Sequence, residues 1–223
     1  WSTMSLTIAS VNVNGIRAAC KQRNENNPGM NAWLEETSAD IVLMQEVRAT
    51  PQQAEKALAP ALEAGWHLAL ADAAAKGRAG VGILSRTPLA DVEVGFGSFS
   101  DAGRWIAATT RDIRVASLYL PSGVVNSPKL DEKYNFLDEF AGVLEKRAAE
   151  HTDMVIGGDW NICHRAQDLK NNKANEKKAG HLPEDGLDLR DHMARIELAL
   201  IREALERKKA NSASGSAHKD GGR

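Results

Sequence analysis

Two polar side chains that could hold a metal ion follow the apolar run of residues 154–156 (MVI). Asp159 and Asn161 stand two residues apart in the segment GGDWN, which closes this strand-like run. A hard cation such as Mg²⁺ prefers oxygen ligands and keeps waters that a substrate phosphate can replace. The segment therefore favours metal-assisted phosphodiester chemistry, although a Gly-Asp pair after a strand is also typical of a simple turn.

Three further segments repeat this arrangement of an apolar or alternating run with a polar residue at its end. Residues 6–11 precede Asn12, residues 41–44 precede Gln45 and Glu46, and residues 113–118 precede Tyr119. Functional sites gather at one rim of a sheet system, so these strand ends could form one pocket. The alternative is that independent strand ends each carry a polar residue. The residues expected to converge are Asn12, Glu46, Tyr119, Asp159 and Asn161.

Four motifs in this order resemble those of exonuclease III, a member of the endonuclease/exonuclease/phosphatase superfamily. They are residues 10–17 (SVNVNGIR), 44–48 (MQEVR), 119–123 (YLPSG) and 158–162 (GDWNI). Four ordered motifs are far more specific than any one alone. The resemblance covers about residues 6–184. It implies a four-layered α/β sandwich and Mg²⁺- or Mn²⁺-dependent DNA repair, by cleavage at abasic sites and trimming of 3′ ends.

The resemblance also implies roles for the converging residues. Glu46 would be the main metal ligand with Asn12 beside it, and Asp159 would orient or deprotonate the attacking water. Asn161 would hold Asp159 and the phosphate, while Tyr119 would approach the phosphate oxygens as a phenolate or a hydrogen-bond donor. Structural roles are the alternatives: an Asn capping a strand, a Glu paired with Arg48, a Tyr filling the core. Arg104 and Trp160 are the expected substrate contacts beside these residues.

A basic segment follows the last motif. Residues 165–178 contain five basic and two acidic residues, a local balance of +3 in a chain whose formal net charge is −2. Lysine contacts to phosphate would position double-stranded DNA with abasic or blocked 3′ ends without reading its sequence. The other interpretation is a solvated loop. The expected contacts are Lys170, Lys173, Lys177 and Lys178.

The C-terminal third of the family pattern, with a late Asp on a strand and a terminal Ser-Asp-His motif, has no counterpart in this sequence. Asp191-His192 is an Asp-His pair in a segment of helical period, and His164 lies near the expected site. Neither fits the motif, so we expect a C-terminally truncated sandwich with impaired turnover. The predicted organisation is an incomplete nuclease domain at residues 4–185, a divergent helical segment at 186–209 and a disordered polar tail at 210–223.

Composition fits a monomeric cytosolic protein with one substantial core. The chain has 223 residues, 43% of them hydrophobic and 26% charged, and only two cysteines. It has no apolar run of membrane-spanning length and no signal-peptide pattern. Two other functions remain open: a noncatalytic DNA-binding remnant and a superfamily phosphatase acting on a small phosphoester.

The local patterns predict the elements that position these residues. Helical composition marks residues 31–37 and 51–63, the second with Thr50 as N-cap and Pro51 at the first helical position. Strands are expected at 66–70 and 81–84, with a glycine turn at 77–80 between them. Apolar residues at helical spacing predict amphipathic helices at 131–150 and 187–205, and the second helix could cover an open sheet edge.

Overall fold

The computed structural model describes residues 5–150 and 154–162 of the chain. These residues fall into two compact units. The first contains residues 5–122 and 154–161, and the second contains residues 123–150 and 162. All the candidate site residues that the structure describes belong to the first unit.

The first unit is built on two four-stranded sheets. The first sheet consists of β1 (Ile8–Asn12), β2 (Ile41–Gln45), β3 (His67–Ala71) and β4 (Val81–Ser85) in the order β1-β2-β4-β3. The second consists of β5 (Ala90–Val94), β6 (Trp105–Thr110), β7 (Ile113–Tyr119) and β8 (Met154–Asp159) in the order β5-β6-β7-β8. The pairs β1/β2 and β7/β8 are parallel, and the other pairs are antiparallel.

Four short helices accompany these sheets: α1 (Ile16–Ala19), α2 (Met30–Glu36), α3 (Pro51–Ala57) and α4 (Ala59–Glu63). The prediction that Thr50 and Pro51 begin a helix is confirmed, because Thr50 forms a capping box with Gln53. The predicted single helix at 51–63 is wrong in one respect. It divides at Leu58, since Pro60 has no N–H to continue the hydrogen-bond ladder.

The central strand β2 explains how the layers stack. Successive side chains of a strand point to opposite faces, and all five residues of β2 are buried, so both of its faces are covered. Val42 and Met44 pack into a core shared with α1 to α4, whereas Ile41 and Leu43 pack into a core shared with β6 and β7. Helices, first sheet and second sheet therefore form three successive layers of the first unit.

The remaining predicted elements agree closely with the structure. The strands at 66–70 and 81–84 are β3 and β4, displaced or extended by one residue, and positive φ angles at Gly77 and Gly80 make the turn between them. The helix predicted at 131–150 is α5 (Pro128–Glu150), which begins three residues earlier. Its apolar face includes the buried residues Phe136 and Phe140, whose ring centroids lie 5.9 Å apart.

Within the part of the chain that the structure describes, no helix is long and apolar enough to cross a membrane. The predicted segments at 186–209 and 210–223, and the helix at 187–205 within them, lie outside the described residues.

Candidate active site

The C-terminal ends of β1, β2, β7 and β8 meet at one rim of the sandwich, which we call the site rim. The parallel pairing places Asn12 beside Gln45 in the first sheet and Tyr119 beside Asp159 in the second. Because parallel strands end at the same edge, each sheet delivers two strand ends to this rim. A hydrogen bond between Asn12 and Asp159 then joins the two sheets. The convergence predicted from the four strand ends is thus what the structure shows.

Glu46 stands immediately after β2, where the backbone turns out of the strand. Its φ of 52° lies in the left-handed region, which costs free energy for a residue with a side chain. The surrounding backbone holds this conformation, since Gly15 N–H donates to Glu46 O (2.8 Å) and Val47 N–H donates to Gly80 O (2.9 Å). The fold therefore fixes the backbone at Glu46, and with it the direction in which the side chain leaves the strand.

Asn12 bridges the two acidic side chains of the site. Its Nδ2 group donates to Glu46 Oε1 and to Asp159 Oδ2, each at 2.9 Å. Its Oδ1 accepts the backbone N–H of Asn14 at 3.0 Å, which fixes the orientation of the amide. One amide therefore donates to a carboxylate from each sheet and holds the two side chains together.

Glu46 has two further partners, Arg48 and Tyr119. Its Oε2 forms an ion pair with the Arg48 guanidinium, and it accepts a hydrogen bond from the Tyr119 side chain. Burial alone would raise the pKa of Glu46. The hydrogen bond from Asn12, the Arg48 charge and the Tyr119 hydrogen bond outweigh burial and lower the pKa below its ordinary value. Glu46 is therefore an anion at neutral pH.

Tyr119 is a neutral phenol in this environment. Burial raises its pKa, and so does the neighbouring Glu46 carboxylate, whereas the Arg104 guanidinium opposes them only in part. The Arg104 guanidinium carbon lies 5.0 Å from the centre of the Tyr119 ring, and its Nη1 donates to Tyr119 O at 3.3 Å. Of the two roles that the resemblance left open for Tyr119, this environment favours the hydrogen-bond donor over the phenolate.

Asp159 is held at the end of β8 by the loop that follows it. Asn161 N–H donates to Asp159 Oδ1 (3.1 Å), and the Asn161 side chain donates to Leu120 O (2.8 Å). The preceding Gly158 lies so close to Leu118 O in β7 that a Cβ atom would collide with that carbonyl. The glycine therefore allows β8 to approach β7 and brings Asp159 to the rim.

A buried polar network lies one residue below the site. Gln45 Nε2 donates to Ser117 Oγ in the second sheet at 3.0 Å and contacts Ser10 Oγ at 3.3 Å. Ser117 Oγ in turn donates to Met44 O at 2.8 Å. These bonds tie β2 to β7 just before Glu46 and Tyr119, so they fix the spacing between the two halves of the site.

The structure brings together most of the predicted site residues that it describes. The cluster contains Asn12, Glu46, Arg104, Tyr119, Asp159 and Asn161. Trp160 is half-buried beside Asp159 in the chain. The predicted DNA contacts Lys170, Lys173, Lys177 and Lys178, together with His164 and His192, lie outside the described residues. Sequence reasoning gave no role in the site to Gln45 and treated Arg48 only as a structural partner. Their place within the MQEVR motif was the available signal.

The donor set fits a hard divalent cation. Among the described residues no three His, Cys, Asp or Glu side chains form a metal cluster, but Glu46 and Asp159 share the Asn12 amide. Carboxylate oxygens on a fixed edge, few enough to leave room for water and phosphate, are the ligands that Mg²⁺ or Mn²⁺ accepts. Glu46 is the residue best placed to hold such an ion.

Two facing sheets with helices on one side and an acidic, oxygen-lined site at the strand ends define an α/β sandwich of the hydrolase type. The sequence pattern of the endonuclease/exonuclease/phosphatase family matches residues 9–212. The chain belongs to that family. Its α/β fold and the family resemblance of its motifs are thereby confirmed.

Two curated relatives are named as nucleases. The chain is 32% identical over 188 residues to the DNA repair nuclease APEX1 of Danio rerio, covering 81% of this chain and 57% of that protein. It is 26% identical over 177 residues to the exodeoxyribonuclease of Bacillus subtilis (strain 168), covering 78% of this chain and 66% of that protein. The chain thus spans between about half and two thirds of the length of these relatives.

Solved structures share the fold. An AP endonuclease from Archaeoglobus fulgidus superposes with a TM-score of 0.69 at 27% identity, covering 91% of this chain and 70% of that one. The 3′-5′ exonuclease NExo from Neisseria meningitidis superposes with a TM-score of 0.68 at 23% identity, covering 90% of this chain and 71% of that one. The second likeness supports the fold alone.

Proposed function

We propose that this chain is a divalent-metal-dependent phosphodiesterase that acts on DNA, of the AP endonuclease and 3′-5′ exonuclease type. The observation that carries the proposal is the meeting of Glu46 and Asp159 through Asn12, in a family whose relatives include a DNA repair nuclease and an exodeoxyribonuclease. If these residues only ended strands or formed turns, there would be no reason for the Asn12 amide to bind two carboxylates from different sheets.

The proposed metal ion, Mg²⁺ or Mn²⁺, would be held by Glu46 with Asn12 next to it. When bound, such an ion polarises a phosphoryl oxygen and offsets the charge that develops on it. The chain supplies the ionised carboxylate for this purpose, because Asn12, Arg48 and Tyr119 keep the pKa of Glu46 low. The proposal covers either of the two metals.

Asp159 would accept the proton of the attacking water. Each of its oxygens already receives one hydrogen bond, Oδ1 from Asn161 N–H and Oδ2 from Asn12 Nδ2, so the carboxylate is oriented while lone pairs remain for a water. Asn161 is anchored to Leu120 O and would keep Asp159 in place. Tyr119, as a neutral phenol, would donate a hydrogen bond to a phosphate oxygen.

The proposed substrate is double-stranded DNA with an abasic site or a blocked 3′ end. Arg104, half-buried at the site rim, and Trp160 would contact the strand near the scissile phosphate. Phosphate contacts from Lys170, Lys173, Lys177 and Lys178 are proposed as well. Contacts from these lysines would make the affinity for the duplex fall as the salt concentration is raised. We also propose that the protein acts as a monomer in the cytosol.

Reduced turnover relative to longer relatives is a further part of the proposal. A histidine would stabilise charge on the phosphorus. The only histidine among the described residues is His67, which the register of β3 and β4 places beside Ser85, at the far end of β4 from Gln45. Because the sequence has no counterpart of the Ser-Asp-His motif, cleavage should be on the order of a hundredfold slower than in a relative that has it.

The test is a pair of assays on an oligonucleotide duplex with one abasic site. We expect slow nicking that requires Mg²⁺ or Mn²⁺ and stops with a chelator, and duplex binding that weakens as salt is raised. A parallel assay with a small aromatic phosphate monoester distinguishes the other functions.

Binding of the duplex without metal-dependent nicking would favour the noncatalytic remnant. Hydrolysis of the monoester without nicking would favour the phosphatase. Nicking at the rate of a longer relative would contradict the reduced turnover and make His164 and His192 the next residues to replace.

A further inference from the structure

The Glu46 carboxylate is crowded with donors before any metal ion binds. Asn12 Nδ2 occupies Oε1, the Arg48 guanidinium occupies Oε2, and the Tyr119 phenol also donates to this carboxylate. An ionised carboxylate offers about four lone-pair directions in all. Three donors leave little of this carboxylate free, and a divalent cation that approaches it would meet the positive charge of Arg48 there.

Of the three donors, Arg48 is the one that can leave. Asn12 also donates to Asp159 and accepts from Asn14, and the half-buried Tyr119 lies in β7 under the Arg104 guanidinium. The Arg48 side chain is 43% exposed, against 13% for its partner Glu46. Its backbone stays anchored, since Arg48 N–H donates to Ala79 O at 2.9 Å. The guanidinium can swing outward without any change in the backbone.

We propose that the Arg48 guanidinium competes with a divalent cation for Glu46, and that it moves off the carboxylate when the cation binds. The inference rests on the proposed metal-dependent function. In the metal-free chain the Arg48 charge offsets that of Glu46, which reduces repulsion between Glu46 and Asp159 at the site rim. Once displaced, the guanidinium remains beside the site, where the next available anion is the phosphate backbone of the substrate.

The competition sets the cation concentration at which the site fills. Removing the guanidinium removes both the occupant of Oε2 and a like charge beside the incoming ion. Metal affinity should therefore rise in a variant that lacks Arg48, the opposite of what loss of a metal-supporting residue would produce. This opposite sign separates a competitor from a residue that merely braces Glu46.

The experiment is calorimetric titration of Mn²⁺ into the full chain and three variants. Arg48→Met should bind Mn²⁺ about fivefold more tightly, at the upper end of what a partly exposed ion pair contributes. The matched control is Arg111→Met. Arg111 is 37% exposed and pairs with Asp40 (2.9 Å), so this variant makes the same charge change away from the site. Its Mn²⁺ affinity should stay that of the wild type.

The third variant, Arg48→Met combined with Glu46→Ala, should lose the gain because the contested carboxylate is gone. Arg48→Gln repeats the test with a polar side chain if Arg48→Met does not fold. Wild-type or weaker Mn²⁺ affinity in a folded Arg48 variant would overturn the competitor role and leave the proposed metal site standing. An absence of Mn²⁺ binding in all the proteins would overturn the metal site and the competitor role together.

Discussion

The two rims of the sandwich use charged side chains in different ways. At the rim opposite the site, Asp40 precedes β2, with Oδ1 paired to Arg111 and Oδ2 accepting Thr7 N–H, each at 2.9 Å. Arg86 donates to the backbone carbonyls of Ala39 and Thr37 there. Apart from the Asp40–Arg111 ion pair, these bonds go to backbone groups where strands and helices begin or end, so they stabilise local structure.

At the site rim the two acidic side chains are linked to each other through a third side chain. Glu46 and Asp159 share the Asn12 amide, and Arg48 pairs with Glu46. Side-chain partners can exchange for a metal ion, a water or a phosphate oxygen without breaking a strand. The comparison suggests that substitutions at the site rim should change chemistry more than stability, and that substitutions at the opposite rim should do the reverse.

The largest effect should come from Asp159→Asn. We expect nicking of an abasic duplex to fall on the order of a thousandfold, because the amide cannot accept the proton of the attacking water. Single-turnover nicking with Mg²⁺ measures this. The matched control is Asp40→Asn at the opposite rim, which should nick at the wild-type rate. Loss of less than about tenfold in Asp159→Asn would remove the general-base role.

Glu46→Ala comes next. Mn²⁺ affinity should fall by at least about tenfold, since the ionised carboxylate is the main proposed ligand. Calorimetric titration of the wild type and the variant measures the change, with the thermal midpoint of each protein as a check on folding. Equal Mn²⁺ affinity in the two proteins would show that Glu46 is not a ligand.

At the opposite rim, Asp40→Ala should lower the free energy of unfolding by about 1 to 2 kcal/mol, because Arg111 and Thr7 N–H both lose a charged partner. Chemical denaturation measures the loss. Mn²⁺ affinity and nicking should remain those of the wild type. A comparable loss of activity in this variant would mean that the two rims are not separable.

The smallest effect is the pH dependence that Glu46 gives to stability. Its pKa is lowered in the folded chain, so the ionised carboxylate stabilises the fold above its ordinary pKa of 4.5. This contribution is lost as the pH falls through the lowered value. Without divalent cation, the thermal midpoint of the wild type should decline relative to Glu46→Gln between about pH 5 and pH 3. Parallel curves for the two proteins would contradict the lowered pKa.

The strand ends could be predicted from the sequence because burial on both faces leaves a continuous apolar run. Residues 41–44 show this pattern, and a polar residue at the end of such a run marks the rim. The candidate site residues Asn12, Glu46, Tyr119 and Asp159 were named from the ends of the same four runs. Their convergence depends on the pairs β1/β2 and β7/β8 being parallel, which was not predicted from the sequence.

The details of the site could not be predicted, because they depend on contacts between distant parts of the chain. No local pattern shows that Asn12 would face both carboxylates, or that Gln45 would reach Ser117 in the other sheet. The break at Leu58 is different, since Pro60 is visible in the sequence and could have been weighed against the helical composition. The strands β5 and β6 contain no candidate site residue, and they were not predicted.

The Asn12–Asp159 hydrogen bond joins residues 147 positions apart in the chain. Closing so long a loop costs chain entropy that nearby contacts must first offset, so this bond should form late in folding. Folding intermediates in which only the first sheet has formed would contain Glu46 but would not yet have Asp159 beside it. Acquisition of metal-dependent activity during refolding should therefore lag behind the burial of tryptophan, and catalysis would report when the two sheets finally dock.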